Sequence, residues 1–300
     1  MKIALIATVY NEGEDIFAWA ESLRVQTRKP DEFVIVDGGS IDGTAERIKQ
    51  AFSHGDFPAP HIIVEKCNIA RGRNLAIQNT TAEVIASSDA GSYPEPDWLE
   101  ELTKPLRNDP AVDVVGGCTK VIAKNDFQRF IISMESGQPP DEGYYPSSRN
   151  IALRRAAWAS VGGYPEWLTL AGEDALYNFE LHATGNRFAC NKRALVCWPP
   201  RPTPEAYYKV YYRNAYGAAE ARLYRGYFLR RLLITFFPPL LLLSQHRFKH
   251  IIHRYRGNSA SGLGWLAGKI KGRRPPSGWK RVGGILLSPE AQTIMAAKSK

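Results

Sequence analysis

Three polar clusters, each placed directly after an apolar run, hold the side chains best suited to ligand chemistry in the first hundred residues. They are Thr8-Val9-Tyr10-Asn11-Glu12, Asp37-Gly38-Gly39-Ser40-Ile41-Asp42-Gly43-Thr44 and Asp89-Ala90-Gly91. In open α/β sheets ligands bind beyond the carboxyl ends of strands, so one crevice can gather all three. Asp37 can accept hydrogen bonds from a base N–H or a ribose hydroxyl, Tyr10 offers a ring edge or face, and Gly38 with Gly39 permits close backbone approach. A tight turn with Asp42 as helix cap accounts for Asp42 and Gly43 but leaves Asp37 unexplained. The first turn lacks the GxGxxG of a dinucleotide site. Gly38 and Gly43 have the spacing of a phosphate loop, yet Thr44 stands where its Lys would be, which argues against an NTPase. Farther along, Glu173-Asp174 opens a helix, where an acid pair complements the helix dipole.

The elements that must position these residues alternate in the first half. Ile3–Val9 is a continuous apolar strand of the kind buried on both faces of a parallel sheet. From Asp15 a helix follows, with Ile16, Ala20 and Leu23 on one side. Strand Phe33–Val36, helix Thr44–Phe52, strand His61–Glu65, helix Asn74–Asn79 and strand Val84–Ser88 repeat the pattern of a doubly wound sheet. The second half reads as extended Val112–Ile122, helical Phe127–Glu135, a loop at Gln138–Pro146 and a short strand Asn150–Leu153. Helix Asp174–Thr184 is stopped by Gly185, strand Phe188–Trp198 leads to a Pro-rich corner, and Glu205–Tyr224 is a long aromatic helix.

The chain is 44% hydrophobic and 23% charged, within the range of a globular protein, and 300 residues suffice to bury a core. Its net charge of +9 is concentrated late: from Arg222 onward Glu290 is the single acid. Such a tail suits anionic lipid, nucleic acid or phosphorylated substrates, or else is a solvated end. Cys67, Cys118, Cys190 and Cys197 show neither CxxC spacing nor clustered His, against a zinc site or a disulfide framework. The amino-terminal apolar run continues into acids and reads as a core strand, not a signal peptide, so a cytoplasmic location is expected.

The strings TVYNEGE, VIVDGGSIDGT, NIARGRNLAI, SSDAGSYPEPDWLEEL and SSRNIALRRAAWASVGGYPEWLTLAGEDALYNFELHATG follow in order over about residues 1–222. Together they resemble the family 2 glycosyltransferases of the GT-A fold. That resemblance implies a nucleotide-diphosphate sugar donor, an inverting displacement onto an acceptor hydroxyl and usually a divalent cation, Mn²⁺ or Mg²⁺. By position, Thr8, Tyr10, Glu12 and Asp37 match the nucleoside pocket, and Arg71, Arg73 and Asn74 match the segment facing nucleotide or diphosphate. Asp89 matches the first acid of the DxD motif, hence a metal ligand, while Ser148, Arg149 and Asn150 match the donor-sugar or acceptor side. Glu173-Asp174 resembles the ED motif, making Asp174 the candidate base, with Glu173 orienting it or the acceptor.

The chain departs from the pattern at three places. Gly38 follows Asp37 where relatives often carry a second acid, Gly91 replaces the second DxD acid, and Trp198 stands where many relatives place a His. Asp89 therefore either holds a cation with help from diphosphate and water, or contacts ribose while cationic side chains neutralise the diphosphate. Arg201 and Arg213 can approach that diphosphate, with helix surface an equal reading for Arg213. A sugar nucleotidyltransferase would carry a Gly-rich basic loop after the first strand, which TVYNEGE lacks; a non-catalytic nucleotide-sugar-binding protein is the other rival.

The expected architecture is a GT-A-type α/β catalytic domain at 1–225, with a nucleotide-sugar-binding half (1–120) and a smaller mixed-sheet acceptor half (121–225). Residues 226–300 are expected to form a basic, partly apolar extension, membrane-associating or flexible. Its run 232–243 is too short to cross a bilayer, is broken by Pro238-Pro239 and is framed by Arg230, Arg231, Arg247, Lys249 and His250. Dipping into one leaflet of an anionic membrane fits that pattern, as does a buried helix pair hinged at the prolines. The expected partners are the donor and a hydroxyl acceptor, lipid-linked or polysaccharide, and not nucleic acid. A peripheral place on the cytoplasmic face of the membrane follows.

Overall fold

Burial on both sides explains why strand β1 (Ile3–Val9) is apolar without alternation: Leu5, Ala7 and Val9 join one core layer, Ala4 and Ile6 the opposite one. The computed structural model describes residues 1–53, 57–134, 145–241 and 251–298. Around β1 lie β2 (Glu32–Asp37) and β4 (Val84–Ser87), both parallel to it, with β3 (His61–Val64) parallel to β2. Helices α1 (Asp15–Arg24), α2 (Thr44–Ala51) and α3 (Ile69–Gln78) make the crossovers. Trp19 and Leu23 of α1 fill one layer, Ala70 and Ile77 of α3 the other.

The mixed half is no separate sheet. Beyond β4 the same sheet continues through β7 (Ile151–Arg154), β6 (Val114–Val121), β8 (Phe188–Trp198) and the short β5 (Tyr93–Pro94), giving eight strands in the order β3-β2-β1-β4-β7-β6-β8-β5. Strand β7 is antiparallel to both β4 and β6, while β6 and β8 are parallel. Helix α4 (Trp98–Asn108) covers this region, and α5 (Asp126–Met134) and α6 (Arg155–Ser160) follow in sequence. Helix α7 (Glu173–Ala183) ends where Gly185 adopts φ +76, as its sequence anticipates.

One expected helix start and one expected cap differ for local reasons. Helix α3 begins at Ile69, five residues before the expected Asn74, because the Asn68 side chain caps it by accepting from the Arg71 amide at 2.9 Å. Asp42 is not the cap of α2; Gly43 is, and Asp42 ties the turn by accepting from the Thr44 amide (3.1 Å) and the Gly13 amide (2.9 Å).

After α8 (Pro204–Glu220) and a break with left-handed Arg222 and Tyr224, helix α9 (Arg225–Phe236) stops before the prolines and Pro238–Leu241 forms a 3₁₀ turn. Leu233, Phe236 and Phe237 are exposed, against the alternative of a buried hinged helix pair. Arg247, Lys249 and His250, residues 242–243, Glu135 and most of the Gln138–Pro146 loop lie outside the described residues. Among the described residues no helix is long and apolar enough to cross a membrane.

Among the described residues the basic tail is helical and packed on the catalytic half. Helix α10 (Ile251–Lys271) lies along α8 in the same direction, with Gly264 against Tyr212 and Gly268 against Tyr216. A Cβ on either glycine would fall 2.3 Å or 2.5 Å from a carbonyl oxygen of α8, so a side chain there would force the helices apart. A hairpin of β9 (Lys280–Val282) and β10 (Ile285–Leu287) then leads to α11 (Pro289–Lys298). Leu287 and Ala291 are buried in the same core layer as Ile77 and Tyr177.

Candidate functional site

A cavity of about 820 Å³ opens beyond the carboxyl ends of β1, β2 and β4. The β1 end supplies Thr8, Tyr10 and Glu12; the β2 end supplies Gly38; Asp89 follows β4; Glu173 and Asp174 open α7 on the facing wall. The oxygen of Thr8 is buried without a hydrogen-bond partner, and Tyr10 is 61% exposed, so both have capacity left for a ligand. Burial raises the Glu12 carboxyl, against the Tyr10 amide and the charge of Arg201.

Arg73 joins the two walls. This side chain, 2% exposed, places Nη1 at 2.8 Å from Glu173 Oε1 and Nη2 at 3.1 Å from Asp89 Oδ1. Burial alone would lower its guanidinium, but Asp89 and Glu173 outweigh that and hold it raised. Glu173 is raised by burial and by the neighbouring Asp174 charge, with Arg73 opposing. Asp174 anchors one oxygen on the Ala175 amide at 2.8 Å and remains on the cavity wall. The preceding loop is seated on α8 at Gly217, where a Cβ would stand 1.7 Å from the Ala171 carbonyl oxygen.

Several residues expected to meet the ligand also make hydrogen bonds or ion pairs within the chain. Asp37 is buried, does not line the cavity, and uses Oδ1 to accept from the Gly39 and Ser40 amides at 3.0 and 2.7 Å. The turn it ties presents Gly38, the position without an acid, to the cavity instead. Asn74 donates to the Tyr164 carbonyl and to Glu166 while accepting from Trp158 Nε1 and the Tyr164 amide. Asn150 accepts from Trp98 Nε1 and donates to the carbonyls of Cys118 and Ala194, pinning β6, β7, β8 and α4 together. Arg71 turns to Glu65 at 3.0 Å and Glu166 at 3.7 Å, and does not line the cavity. Ser148 is buried too, whereas its neighbours Ser147 and Arg149 line the site.

Lys66, Arg73, Arg149, Arg201, Arg213 and Arg273 face the cavity against four acids, Glu12, Asp89, Glu173 and Asp174. This excess of cations favours an anionic ligand. Arg149 lies over the Trp198 ring at 4.3 Å; burial lowers its guanidinium, against the charges of Asp89 and Asp174. Lys66, just past β3, follows the strand-end rule and was legible; Arg273, beyond α10, had no local signal.

A resident metal finds little here. Among the described residues no group of three His, Cys, Asp or Glu could hold one. Asp89 already gives one oxygen to Arg73, and beside it Gly91, at φ +81, faces open space. These residues do not form a metal cage.

A cation-rich cavity of this size at the carboxyl edge of such a sheet is suited to a nucleotide ligand. The sequence profile "Glycosyl transferase family 2" matches residues 4–163, more than half of the chain. The chain belongs to this family and is an inverting glycosyltransferase that uses a nucleotide-diphosphate sugar. It is 26% identical to the glycosyltransferase AglE of Haloferax volcanii over 81% of this chain and 84% of that protein. It is 28% identical to the glucosyl-dolichyl phosphate glucuronosyltransferase of the same organism over 65% of this chain and 68% of that one. Its fold is similar to the mannosyltransferase PcManGT from Pyrobaculum calidifontis in complex with GDP-Man and Mn²⁺, with TM-score 0.58 and 19% identity over 99% of this chain and 75% of that one. It is also similar to S. aureus TarS 1–349 in complex with UDP, with TM-score 0.52 and 16% identity over 95% and 96% of the two chains.

Proposed function

We propose that Asp174 is the general base of the transfer and that the donor lies between it and Asp89. The observation that carries this reading is the Arg73 bridge, which sets Asp89 and the Glu173-Asp174 pair on one cavity. Asp174 takes the proton of the acceptor hydroxyl as its oxygen attacks the anomeric carbon. The bond from that carbon to the diphosphate breaks on the opposite face, which inverts the centre. Arg149 and Arg201 meet the charge that develops on the leaving nucleoside diphosphate. Thr8, Tyr10, Glu12 and the Gly38 backbone receive the nucleoside. Glu173, held by Arg73, fixes the start of α7 and so the direction of Asp174.

Asp174→Asn should cut turnover by about 10² to 10⁴ while nucleoside diphosphate affinity in calorimetry holds. Normal turnover with weakened binding would remove Asp174 from its role. With Asp89 the lone candidate ligand among the described residues, Mn²⁺ alone should give no saturable heat, whereas Mn²⁺ with a nucleoside diphosphate should. Saturable binding of the ion alone would mean that the protein holds a site of its own.

The acceptor we infer is a lipid-linked glycan of cell-envelope or polysaccharide assembly, met at the cytoplasmic face of an anionic membrane. In support, Leu229, Leu233, Phe236 and Phe237 of the α9 end are exposed beside Arg225 and Arg230. Relatives named above also include one that acts on a dolichyl phosphate glycan by its name.

A further inference from the structure

Glu220, the last residue of α8, is a buried carboxylate that the transfer reaction does not use. It is 3% exposed and does not line the cavity. Oε1 accepts from Thr169 Oγ1 at 2.6 Å and from the Arg273 amide at 2.7 Å, and Oε2 accepts from the Thr169 amide at 2.9 Å. Among the described residues it has no ion-pair partner, so two amides and one hydroxyl hold the carboxylate. A charge buried without a cation depends on such bonds, and hydrogen bonds to an ionised acceptor are roughly twice as strong as neutral ones.

The segment that this carboxylate holds is the cavity wall leading into Asp174. Leu168, Thr169, Leu170 and Ala171 line the cavity, followed by Glu173 and Asp174 at the start of α7. Asn68 Nδ2 donates to the Leu168 carbonyl at 3.0 Å, and α8 holds the next three residues. Glu220 takes Thr169, Arg213 Nη2 donates to the Leu170 carbonyl at 3.1 Å, and Gly217 leaves room for the Ala171 carbonyl. Arg213, Gly217 and Glu220 are spaced i, i+4 and i+7, which puts them on one face of the helix. Gly172 then turns at φ +91, a left-handed conformation that starts α7 with its two acids on the cavity wall. The carboxyl-terminal segment meets the same carboxylate. Helix α10 lies against Tyr212 and Tyr216 of α8, and a Cβ on Gly272 would fall 2.7 Å from Glu220 Cγ, so a glycine there lets the Arg273 amide reach Oε1.

We propose that Glu220 is a positioning residue for the base: it holds the Thr169–Ala171 wall on α8 and so fixes where Asp174 stands, with the Arg273 amide completing its hydrogen bonding. The assignment rests on Asp174 as base. Glu220 itself meets no ligand, so its loss acts on the chemical step and spares the nucleotide. Through this carboxylate the carboxyl-terminal segment takes part in setting the base.

The test uses the full chain carrying Glu220→Gln, which keeps one acceptor oxygen but turns an amide N–H toward a donor, with Glu220→Ala as the severer variant. Hydrogen exchange read by mass spectrometry should quicken about tenfold or more over residues 168–175 and hardly at all in β1, β2 and β4. Turnover is read as release of nucleoside diphosphate from a panel of GDP- and UDP-sugars, with water in the acceptor's place. Glu220→Gln should lower kcat by about tenfold to a hundredfold, the cost of a misplaced catalytic group. KM and the calorimetric affinity for the nucleoside diphosphate should stay within about twofold, which also shows that the variant is folded. Gly217→Ala, which drives a methyl group against the Ala171 carbonyl, should reproduce the kcat loss from a second point on the same helix face. A carboxylate that serves the fold alone would lower the melting temperature and leave kcat as it was, and that result overturns the proposal. So would unchanged exchange over 168–175, or a loss confined to KM and nucleotide affinity. Normal turnover by Asp174→Asn would instead strike the base itself, a result distinct from these.

Discussion

Replacing Arg73 by Met would strand two carboxylates at once. Glu173 is buried and Asp89 partly so, and removing one partner of a buried ion pair costs about 3–5 kcal/mol because the remaining charge is left uncompensated. The protein has a partial escape, since Glu173 is already raised by burial and by Asp174 and can take a proton. Destabilisation of Arg73→Met in urea melts should therefore be smaller in acid than at alkaline pH. A loss independent of pH would mean that Glu173 does not feel the missing cation. The residue scale is also where the sequence was least legible. Motif position singled out Asp37, Asn74 and Asn150 but could not reveal which way their polar atoms turn. For Asn150 the deciding partners, Trp98, Cys118 and Ala194, come from three other segments. An Asp at a strand end is able to bind a ligand or to tie its own turn, and Oδ1 of Asp37 ties its turn.

At the scale of elements, the parallel half was readable because a strand buried on both faces has a plain signature, as β1 and β2 show. Helix α10 was not, since Gly262, Gly264 and Gly268 lower helix propensity and no clean amphipathic period compensates. What stabilises it is contact with α8 and α9, for which those glycines are needed and which sequence-local reasoning does not see. Helix α9 presents the opposite case, an apolar face with exposed Leu229, Leu233 and Phe236 on one side. Full burial of a large apolar side chain is worth about 1.5–3 kcal/mol. Leu233→Ser with Phe236→Ser should thus lower partitioning onto anionic vesicles by about 10² or more in flotation, with salt weakening what remains. Unchanged flotation would leave α9 without a membrane role.

For the molecule as a whole, the late basic segment is a structural partner of the catalytic half, and one buried carboxyl marks the join. Glu180 of α7 accepts from the Ser288 amide at 2.6 Å, while its other oxygen lacks a partner. Ser288 also donates through its hydroxyl to the Val161 carbonyl at 2.9 Å. Burial lifts the Glu180 carboxyl from 4.5 to about 8, although the Ser288 hydrogen bonds pull the other way. Below about pH 4.5 folded and unfolded chains both hold this proton, and Glu180 exacts no penalty. Between about 4.5 and 8 the unfolded chain releases it while the folded chain retains it, so stability falls as pH rises. The slope approaches about 1.4 kcal/mol per pH unit and flattens once the folded carboxyl ionises. Glu180→Gln keeps an oxygen for the Ser288 amide and removes the titration, so its melting temperature should decline less than that of wild type over the same window. Parallel declines of the two proteins would show that Glu180 ionises normally in the fold. A divergence confined to that window would place the pH-sensitive contact between α7, which carries Asp174, and the segment that delivers Arg273.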